Sequence, residues 1–191
     1  DIKLAANILF EHRLDKKGLK SLPKKLIPKN IEESYQIQNE LKLLYLNLNN
    51  NFIIGKKVGC TNKNAQEQVN VSEPFYGNLF SKFTKISNCE LKSVNFYKPF
   101  LECEISFIIK EDININNAPY KIKDVNKIFD KVFASIEIVD FRFGDNIKEV
   151  GINNLIISNG ASEFYIQSDR YFEIDSIDLF DLEVSLIINN K

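Results

Sequence analysis

Apolar residues recur at helical spacing at the start of the chain, and this pattern predicts an amphipathic first helix. The helix is expected from Ile2 to Lys17, with Gly18 as its stop. Residues 19–30 follow with two prolines and four lysines, a composition typical of an exposed connection. His12, the single histidine, lies on this helix and is expected to be partly exposed rather than catalytic.

A second amphipathic helix is predicted to begin at Asn30. This residue precedes Glu33 by three positions, which is the spacing of an N-cap and its capping-box partner. The residues that recur at helical spacing behind it are Ile31, Tyr35, Gln38, Leu41, Leu44, Tyr45 and Leu48. The helix is expected to end in the asparagine run at 49–51.

Short stretches rich in β-branched and aromatic residues replace the helical pattern after residue 51. Strands are predicted at Phe52–Gly59, Glu90–Phe96, Phe100–Lys110, Val132–Phe143, Asn154–Ser158, Ser162–Gln167 and Leu179–Ile188. One further helix is predicted at Lys121–Phe133, where helical spacing returns. Helices followed mostly by strands favour an α+β fold over an alternating parallel sheet. The chain is thus predicted to contain an N-terminal helical region, residues 1–51, and a β-rich catalytic domain, residues 52–191.

The amino-acid composition argues against several classes of function. Lys and Arg number 25 against 26 Asp and Glu, and this net charge of −1 gives no field for binding nucleic acid or an anionic membrane. No apolar run approaches the ~20 residues that span a bilayer. The three cysteines form no CxxC pair and the histidine is alone, which favours a cytoplasmic protein and argues against a histidine-rich zinc site. Because methionine is absent, Asp1 is not expected to be the translation start.

A predicted strand carries two glutamates on one face. Side chains alternate along a strand, so Glu102, Glu104 and Ser106 are expected to point the same way. The side chains expected to point towards a core are Leu101, Cys103, Ile105 and Phe107. Neighbouring carboxylates repel, and at neutral pH they either stay in water or share a cation. The spacing alone leaves both interpretations open.

A third glutamate lies in a later, apolar strand. Glu137 is expected to share a face with Val139 and Phe141, and a carboxylate in an apolar wall is rarely buried without a partner. One interpretation is a salt bridge to Arg142 or to a lysine. The other is that three carboxylates converge from two strands and bind Mg²⁺ or Mn²⁺, which prefer oxygen ligands.

Two glycines flank a lysine pair at the end of the first predicted strand. Gly55 and Gly59 enclose Lys56 and Lys57, and glycine permits close approach of the backbone to a bulky or anionic group. The spacing does not match a P-loop. A lysine held near a metal can donate a proton or stabilise an oxyanion; the alternative is ordinary surface charge.

Six segments, in the same order, resemble the 2-keto-4-pentenoate hydratase and 4-oxalocrotonate decarboxylase group of the fumarylacetoacetate hydrolase superfamily. They are Glu33–Gln38, Gly55–Thr61, Pro74–Phe80, Pro99–Ile105, Ile136–Asp140 and Asn159–Ser162. The first two are similar to the group's alanine-tyrosine-x-isoleucine-glutamine and glycine-arginine-lysine-x-glycine-x-threonine stretches. The fourth matches its proline-x-x-glutamate-x-glutamate strand, and the last lies at its asparagine-alanine-serine-serine turn. The resemblance covers nearly the whole chain.

The resemblance implies a fold and a cofactor. The fold would be N-terminal helices followed by a mixed, barrel-like β-sheet domain of fumarylacetoacetate hydrolase type, lacking its last strands beyond Ile188. Glu102, Glu104 and Glu137 would hold Mg²⁺ or Mn²⁺, and the metal would chelate a small 2-oxo acid substrate.

The resemblance also implies an activity. The reaction would be hydration of a 2-hydroxy-2,4-dienoate to a 4-hydroxy-2-oxo acid, or decarboxylation of a 2-oxo acid, in the breakdown of aromatic compounds. Lys57 would move a proton or stabilise the enolate. Ser162 and Asn159 would bind the substrate, although a role of Ser162 in the backbone turn stays equally open. A cytoplasmic homo-oligomer is the implied assembly.

Several positions depart from the group's pattern. Phe75 stands where the group has an acidic residue, and Glu73 is a candidate to replace it as a catalytic group, or else a surface-loop residue. Other departures are Ser158 for an aspartate, Ala161 for a serine and Glu163 for a glycine. They keep open a second hypothesis, a non-catalytic relative that retains the metal ligands.

Overall fold

The N-terminal part of the chain forms two long helices in the computed structural model, which describes residues 1–144 and 150–189. Helix α1 spans Ile2–Leu14 and helix α2 spans Ile31–Leu46. The predicted cap of α2 is confirmed, because Asn30 Oδ1 accepts a hydrogen bond from the Glu33 backbone N–H at 2.9 Å. Both predicted N-terminal helices are therefore present.

The rest of the described chain alternates short helices with strands. The strands are β1 (Ile53–Gly59), β2 (Phe75–Phe80), β3 (Thr84–Ile86), β4 (Pro99–Ile109), β5 (Phe129–Asp140), β6 (Ser162–Gln167) and β7 (Phe172–Glu173). The helices are α3 (Lys63–Gln68), α4 (Val125–Ile128) and α5 (Gly151–Ile157). Among the described residues none of the helices is long and apolar enough to cross a bilayer.

The strands form two sheets. Strands β1 and β2 pair antiparallel in a two-stranded sheet. The larger sheet has the order β3-β6-β5-β4, with β7 paired to β5; its β3–β6 pair is parallel and its other pairs are antiparallel. The predicted α+β class is confirmed. The sheet is open over the described residues, and closure into a barrel, like the division at residue 51, stays a prediction.

Apolar side chains of α1, α2, β2 and α5 meet in one core. Leu41 and Tyr45 of α2 are buried against Phe80 of β2 and Ile156 of α5. Burying each such side chain contributes roughly 1.5–3 kcal/mol. Gln38 is also buried, and its amide donates hydrogen bonds to the backbone oxygens of Tyr76 (2.9 Å) and Ile156 (3.0 Å). These bonds tie α2 to both neighbouring elements.

Four sequence-based element predictions are wrong in type or extent. Glu90–Phe96 contains a short 3₁₀ turn rather than a strand. Asn154–Ser158 lies mostly in α5, because a short apolar run is compatible with a strand or with a buried helix. The helix predicted at Lys121–Phe133 is shorter: a 3₁₀ turn at Ile122–Asp124 leads into α4, and strand β5 begins directly after it. Leu179–Ile188 forms no strand in the described structure.

The orientation predicted for the outer face of β4 is also wrong. Leu101, Ile105 and Phe107 were expected to point towards a core, yet they are 50%, 39% and 37% exposed, and Cys103 is exposed as well. The reason is topological: within the described part of the chain β4 is an edge strand paired with β5 alone, so alternation by itself does not decide which face is covered.

Candidate metal centre

Three glutamates meet on one face of the β4–β5 pair. Glu102 lies directly opposite Glu137, and Glu104 is the next residue along β4 on the same face. Side chains opposite each other on antiparallel strands have Cβ atoms about 4.5–5.5 Å apart, so register alone brings the carboxylates together. One oxygen atom from each of the three lies within 4.8 Å of the others. The convergence predicted from the sequence is therefore present.

The three carboxylates sit in different surroundings, and their electrostatics reflect this. Glu137 is buried, Glu104 is half-buried, and Glu102 is exposed as a whole residue although its carboxylate is partly desolvated. Partial removal from water raises the pKa of Glu102, and Glu137 adds to the rise while Lys57 opposes it. Burial and repulsion from Glu137 and Glu102 raise the pKa of Glu104 to about 7. The site therefore concentrates negative charge that a cation would stabilise.

Lys57 provides the counter-charge within the protein. Its Nζ lies 2.6 Å from Glu137 Oε1 and donates a second hydrogen bond to the Gly160 backbone oxygen at 3.1 Å. An ammonium has three N–H donors, so one donor remains for another acceptor. The lysine that the sequence predicted beside the site is thus in contact with one of the glutamates, whereas Lys56 on the alternate side of β1 bonds Asn78 instead.

Glycines allow the strands and turns to approach closely around Lys57. A Cβ atom at Gly160 would lie 2.9 Å from the Phe75 ring and 3.1 Å from Lys57 Cε, and Gly160 has φ +67°. A Cβ at Gly77 would lie 2.9 Å from the Asn159 backbone oxygen. Phe75 is buried, and its ring lies close to the same Gly160 position as the Lys57 side chain.

Asn159 joins the turn before β6 to strand β2. Its side chain is buried; Oδ1 accepts a hydrogen bond from the Asn78 N–H at 2.7 Å, and Nδ2 donates to the Asn78 oxygen at 2.9 Å. This pairing fixes the turn whose Gly160 oxygen receives Lys57. Of the two residues predicted to bind substrate, Asn159 therefore already uses both of its polar atoms within the protein.

Ser162 and Glu73 lie in different parts of the fold. Ser162 is buried and lines a cavity of about 30 Å³ beneath α1, together with His12, Arg13 and Asp140. Glu73 is exposed in the turn before β2, and among the described residues no hydrogen bond or ion pair joins it to Lys57 or to the glutamates. Both functional roles stay predictions.

Two further residues on the carboxylate face were not named from the sequence. Ser135 lies opposite Glu104, and Tyr165 on β6 lies opposite Glu137. Tyr165 donates a hydrogen bond to Ser106, which is also bonded to Ser135. Alternation on β5 could have identified Ser135, but the register that places Tyr165 beside Glu137 is a long-range property.

The donor set fits a hard divalent cation. Three carboxylates and one ammonium leave an excess of negative charge, and oxygen-only ligands suit Mg²⁺, Ca²⁺ or Mn²⁺. Among the described residues this is the one cluster of three or more His, Cys, Asp or Glu side chains close enough to share an ion. Glu102, Glu104 and Glu137 are therefore the residues that would hold it.

Comparison with known proteins agrees with this geometry. No family model matches the chain. It is 26% identical over 176 residues to 2-keto-4-pentenoate hydratase of Paraburkholderia xenovorans, covering 92% of this chain and 63% of that protein. It is 28% identical over 152 residues to 2-hydroxyhexa-2,4-dienoate hydratase of Comamonas testosteroni, covering 78% and 55%. The resemblance to the hydratase and decarboxylase group is confirmed.

The fold of the group is shared as well. The solved 4-oxalocrotonate decarboxylase from Pseudomonas putida G7, complexed with magnesium and adipate, superposes with a TM-score of 0.82 at 21% identity. The match covers 93% of this chain and 66% of the decarboxylase. A structure of the same enzyme with calcium and acetate gives a TM-score of 0.81. The chain spans about 63% of the length of the first hydratases that it matches.

Proposed function

We propose that the chain is a divalent-metal-dependent lyase that hydrates a 2-hydroxy-2,4-dienoate to a 4-hydroxy-2-oxo acid. The observation that carries the proposal is the convergence of Glu102, Glu104 and Glu137 on one sheet face with Lys57 bonded to Glu137. Support comes from the names of the curated relatives, which are hydratases of this substrate class.

The metal and the lysine have separate roles in this proposal. Glu102, Glu104 and Glu137 would hold Mg²⁺, or Mn²⁺ in its place, and the ion would supply Lewis-acid polarisation of the substrate. Magnesium and calcium in the related decarboxylase structures support a divalent ion. Lys57 directs its remaining N–H at the oxygen on which enolate charge develops, and its two existing hydrogen bonds hold the ammonium in place before substrate arrives.

Proton transfer is the step with the fewest candidate groups. Hydration of the dienoate requires ketonisation of the dienol, in which the enol O–H proton is removed and a proton is delivered to carbon. Water then adds to the remaining alkene, with its hydroxyl on one carbon and its proton on the neighbouring carbon. As the alternative to stabilising the enolate oxygen, Lys57 can deliver its third proton, because the neutral amine then keeps two N–H groups for Glu137 and Gly160. Glu73 is proposed as a second proton-transfer group, because the side chain of Phe75 has no ionisable proton to donate. Glu73 lies in an exposed turn and would have to move towards the site to act.

Decarboxylation is the second candidate reaction. The observation that favours it is the TM-score of 0.82 to a 4-oxalocrotonate decarboxylase. The same residues would serve, because the electrons left by departing CO₂ collect on the oxygen that Lys57 is placed to stabilise. The buried ring of Phe75 favours a third candidate, a non-catalytic relative that binds the metal without turnover.

An assay of dienol disappearance with Mg²⁺ separates these candidates. The wild-type chain is expected to consume the dienol, and Glu104→Gln to lose at least a hundredfold in rate. Glu111→Gln is the matched control, because Glu111 is exposed beyond the end of the same strand. CO₂ release from a 2-oxo dicarboxylate in place of dienol consumption would identify a decarboxylase. Metal binding without either reaction would identify the non-catalytic relative.

We also propose that the chain acts in the cytoplasm as a homo-oligomer on a small 2-oxo acid, in the breakdown of aromatic compounds. The free cysteines Cys60, Cys89 and Cys103 support a reducing compartment. The exposed apolar residues of edge strand β4 support association of copies. Light scattering of the purified chain tests the assembly, and a monomer at micromolar concentration would contradict it.

A further inference from the structure

Three hydroxyl groups form a hydrogen-bonded chain across three strands. Tyr165 on β6 donates to Ser106 Oγ on β4 at 2.7 Å, and Ser106 Oγ lies 2.7 Å from Ser135 Oγ on β5. Tyr165 and Ser135 are buried, at 7% and 6% exposure, and Ser106 is half-buried. Burying a hydroxyl group without a hydrogen-bond partner is unfavourable, and these three hydroxyls provide partners for one another. Apolar side chains at the three positions would need no such partners.

The hydroxyl chain lies beside the carboxylates. Ser106 follows Glu104 by two positions on the same face of β4, and Ser135 is the residue directly opposite Glu104. Tyr165 is directly opposite Glu137. Each of the three hydroxyl residues is therefore a neighbour of one of the glutamates, either along the same strand or directly opposite on the adjacent strand.

Strand β4 carries an unfavourable arrangement of charge at this point. Its backbone pairs with β5 in unbroken register from Pro99 to Ile108, but among the described residues it has no second neighbouring strand, and it carries two carboxylates that face a third. Repulsion among the carboxylates opposes their close approach when no cation is bound. At its start, β4 is held by Asp140, whose carboxylate accepts hydrogen bonds from the backbone N–H groups of Tyr97 and Lys98. The hydroxyl chain provides the corresponding attachment beyond Glu104.

We propose that Ser106, Ser135 and Tyr165 form a hydroxyl clasp that positions Glu104 for cation binding. The inference rests on the proposed metal site. The three residues are positioning residues rather than ligands, because their hydroxyl bonds hold the strand that carries Glu104 and no bond from them to its carboxylate is present among the described residues. The clasp keeps the carboxylates within reach of one ion despite their repulsion.

Mg²⁺ titration of the metal-free chain by calorimetry tests the clasp. Ser106→Ala and Tyr165→Phe are each expected to weaken Mg²⁺ binding about tenfold, at the lower end of the effect of residues that orient metal ligands. Ser106→Thr keeps the hydroxyl and is expected to restore most of the affinity. Matched controls are Ser81→Ala and Tyr120→Phe, which remove hydroxyl hydrogen bonds away from the glutamates and are expected to leave the affinity unchanged.

A double-variant cycle distinguishes positioning of Glu104 from a general loss of structure. In a Glu104→Gln background, Ser106→Ala is expected to weaken the residual Mg²⁺ binding less than twofold, because the carboxylate that the clasp positions is already gone. An equal tenfold loss in both backgrounds would overturn the proposal. Backbone amide exchange at 103–107 supplies a metal-independent measurement: it is expected to quicken at least threefold in Ser106→Ala, and unchanged exchange would also overturn the proposal.

The outcomes separate this inference from the proposed function. A wild-type chain that binds no Mg²⁺ would refute the metal site and the clasp with it. A wild-type chain that binds Mg²⁺ while Ser106→Ala and Tyr165→Phe bind equally well would refute the clasp alone. If Tyr165→Phe fails to fold, the half-buried Ser106 still carries the test.

Discussion

Lys57 and Glu137 form a buried ion pair, with 2.6 Å between Nζ and Oε1 and with 9% and 4% of the two side chains exposed. The pair connects the two-stranded sheet to the five-stranded sheet. An ion pair in such surroundings gains little over an apolar pair of the same size, but removal of one partner leaves a buried, uncompensated charge. Lys57 is therefore important for stability as well as for the proposed chemistry.

Lys57→Met is expected to lower the free energy of unfolding by about 3–5 kcal/mol, because Glu137 is then buried without its counter-charge. Urea unfolding followed by circular dichroism at pH 7 without added metal measures the loss. Lys25→Met is the control, since Lys25 is exposed and its replacement is expected to change stability by less than about 0.5 kcal/mol.

Removing both charges is expected to cost less than removing one. Lys57→Met combined with Glu137→Gln removes both charges of this pair, so the double variant should recover at least half of the stability lost in Lys57→Met. Additive losses would contradict the description of the two residues as a mutually compensated pair.

Glu104 makes the stability of the metal-free chain depend on pH. Its pKa is raised from 4.5 to about 7 in the folded protein, so the folded state binds this proton more tightly than the unfolded chain does. The resulting stabilisation is complete below pH 4.5 and is lost as the pH rises through about 7. Because solvent reaches the half-buried carboxylate and screens its charge, this stabilisation is expected to be only about 1–2 kcal/mol.

The measurement is the difference between wild type and Glu104→Gln in urea, with chelator present, at pH 5 and pH 8. The free energy of unfolding of the wild type minus that of the variant is expected to fall by about 1–2 kcal/mol between pH 5 and pH 8. An identical difference at both pH values would show that this carboxyl group titrates normally.

Mg²⁺ is expected to stabilise the chelator-treated chain, because it binds the folded carboxylate cluster and not the dispersed carboxylates of the unfolded chain. At a Mg²⁺ concentration 100 times the dissociation constant, the gain is about 2.7 kcal/mol. Thermal unfolding with and without Mg²⁺ measures it. Glu102→Gln should abolish most of the gain, whereas Glu111→Gln should retain it.

Local signals predicted those parts of the fold that neighbouring residues determine. The N-cap at Asn30 and the same-face placement of Glu102 and Glu104 both follow from spacing along the chain, and both are present. The contact of Lys57 with Glu137 spans 80 positions and depends on how β1 meets β5, so spacing could indicate only that a partner was needed.

Tertiary surroundings decided the parts that the sequence predicted wrongly. The apolar run at Asn154–Ser158 fits a strand or a buried helix equally well, and packing of α5 against α2 selects the helix. Leu101 alternates as a core residue would, but β4 is an edge strand whose outer face is uncovered. Neither outcome is encoded within a few residues of the chain.

Gly160→Ala is expected to disturb the lysine as well as the backbone. Gly160 has φ +67°, which costs a side chain about 1 kcal/mol, and the added Cβ would approach Phe75 to 2.9 Å and Lys57 Cε to 3.1 Å. Gly144→Ala is the matched control, because Gly144 has φ +64° and no atom of the described residues lies within 4 Å of its Cβ position. Gly160→Ala should therefore lose about 1–3 kcal/mol more stability than Gly144→Ala; equal losses would refute the close approach.

Glu163 forms a buried network that attaches α1 to the sheet. Its Oε2 lies 3.2 Å from Arg13 Nε and 2.8 Å from an Arg142 nitrogen. Glu163→Gln removes the carboxylate beside buried Arg13, whereas Arg142 keeps its 2.7 Å ion pair with Asp140, so the loss of stability in urea is expected to be about 3 kcal/mol and to come from Arg13. The control is Glu173→Gln, because the Glu173 ion pair with Lys131 is exposed and spans 3.7 Å, and its loss should cost less than about 1 kcal/mol. Similar losses of stability in the two variants would show that the buried ion pairs of Glu163 contribute no more than an exposed ion pair does.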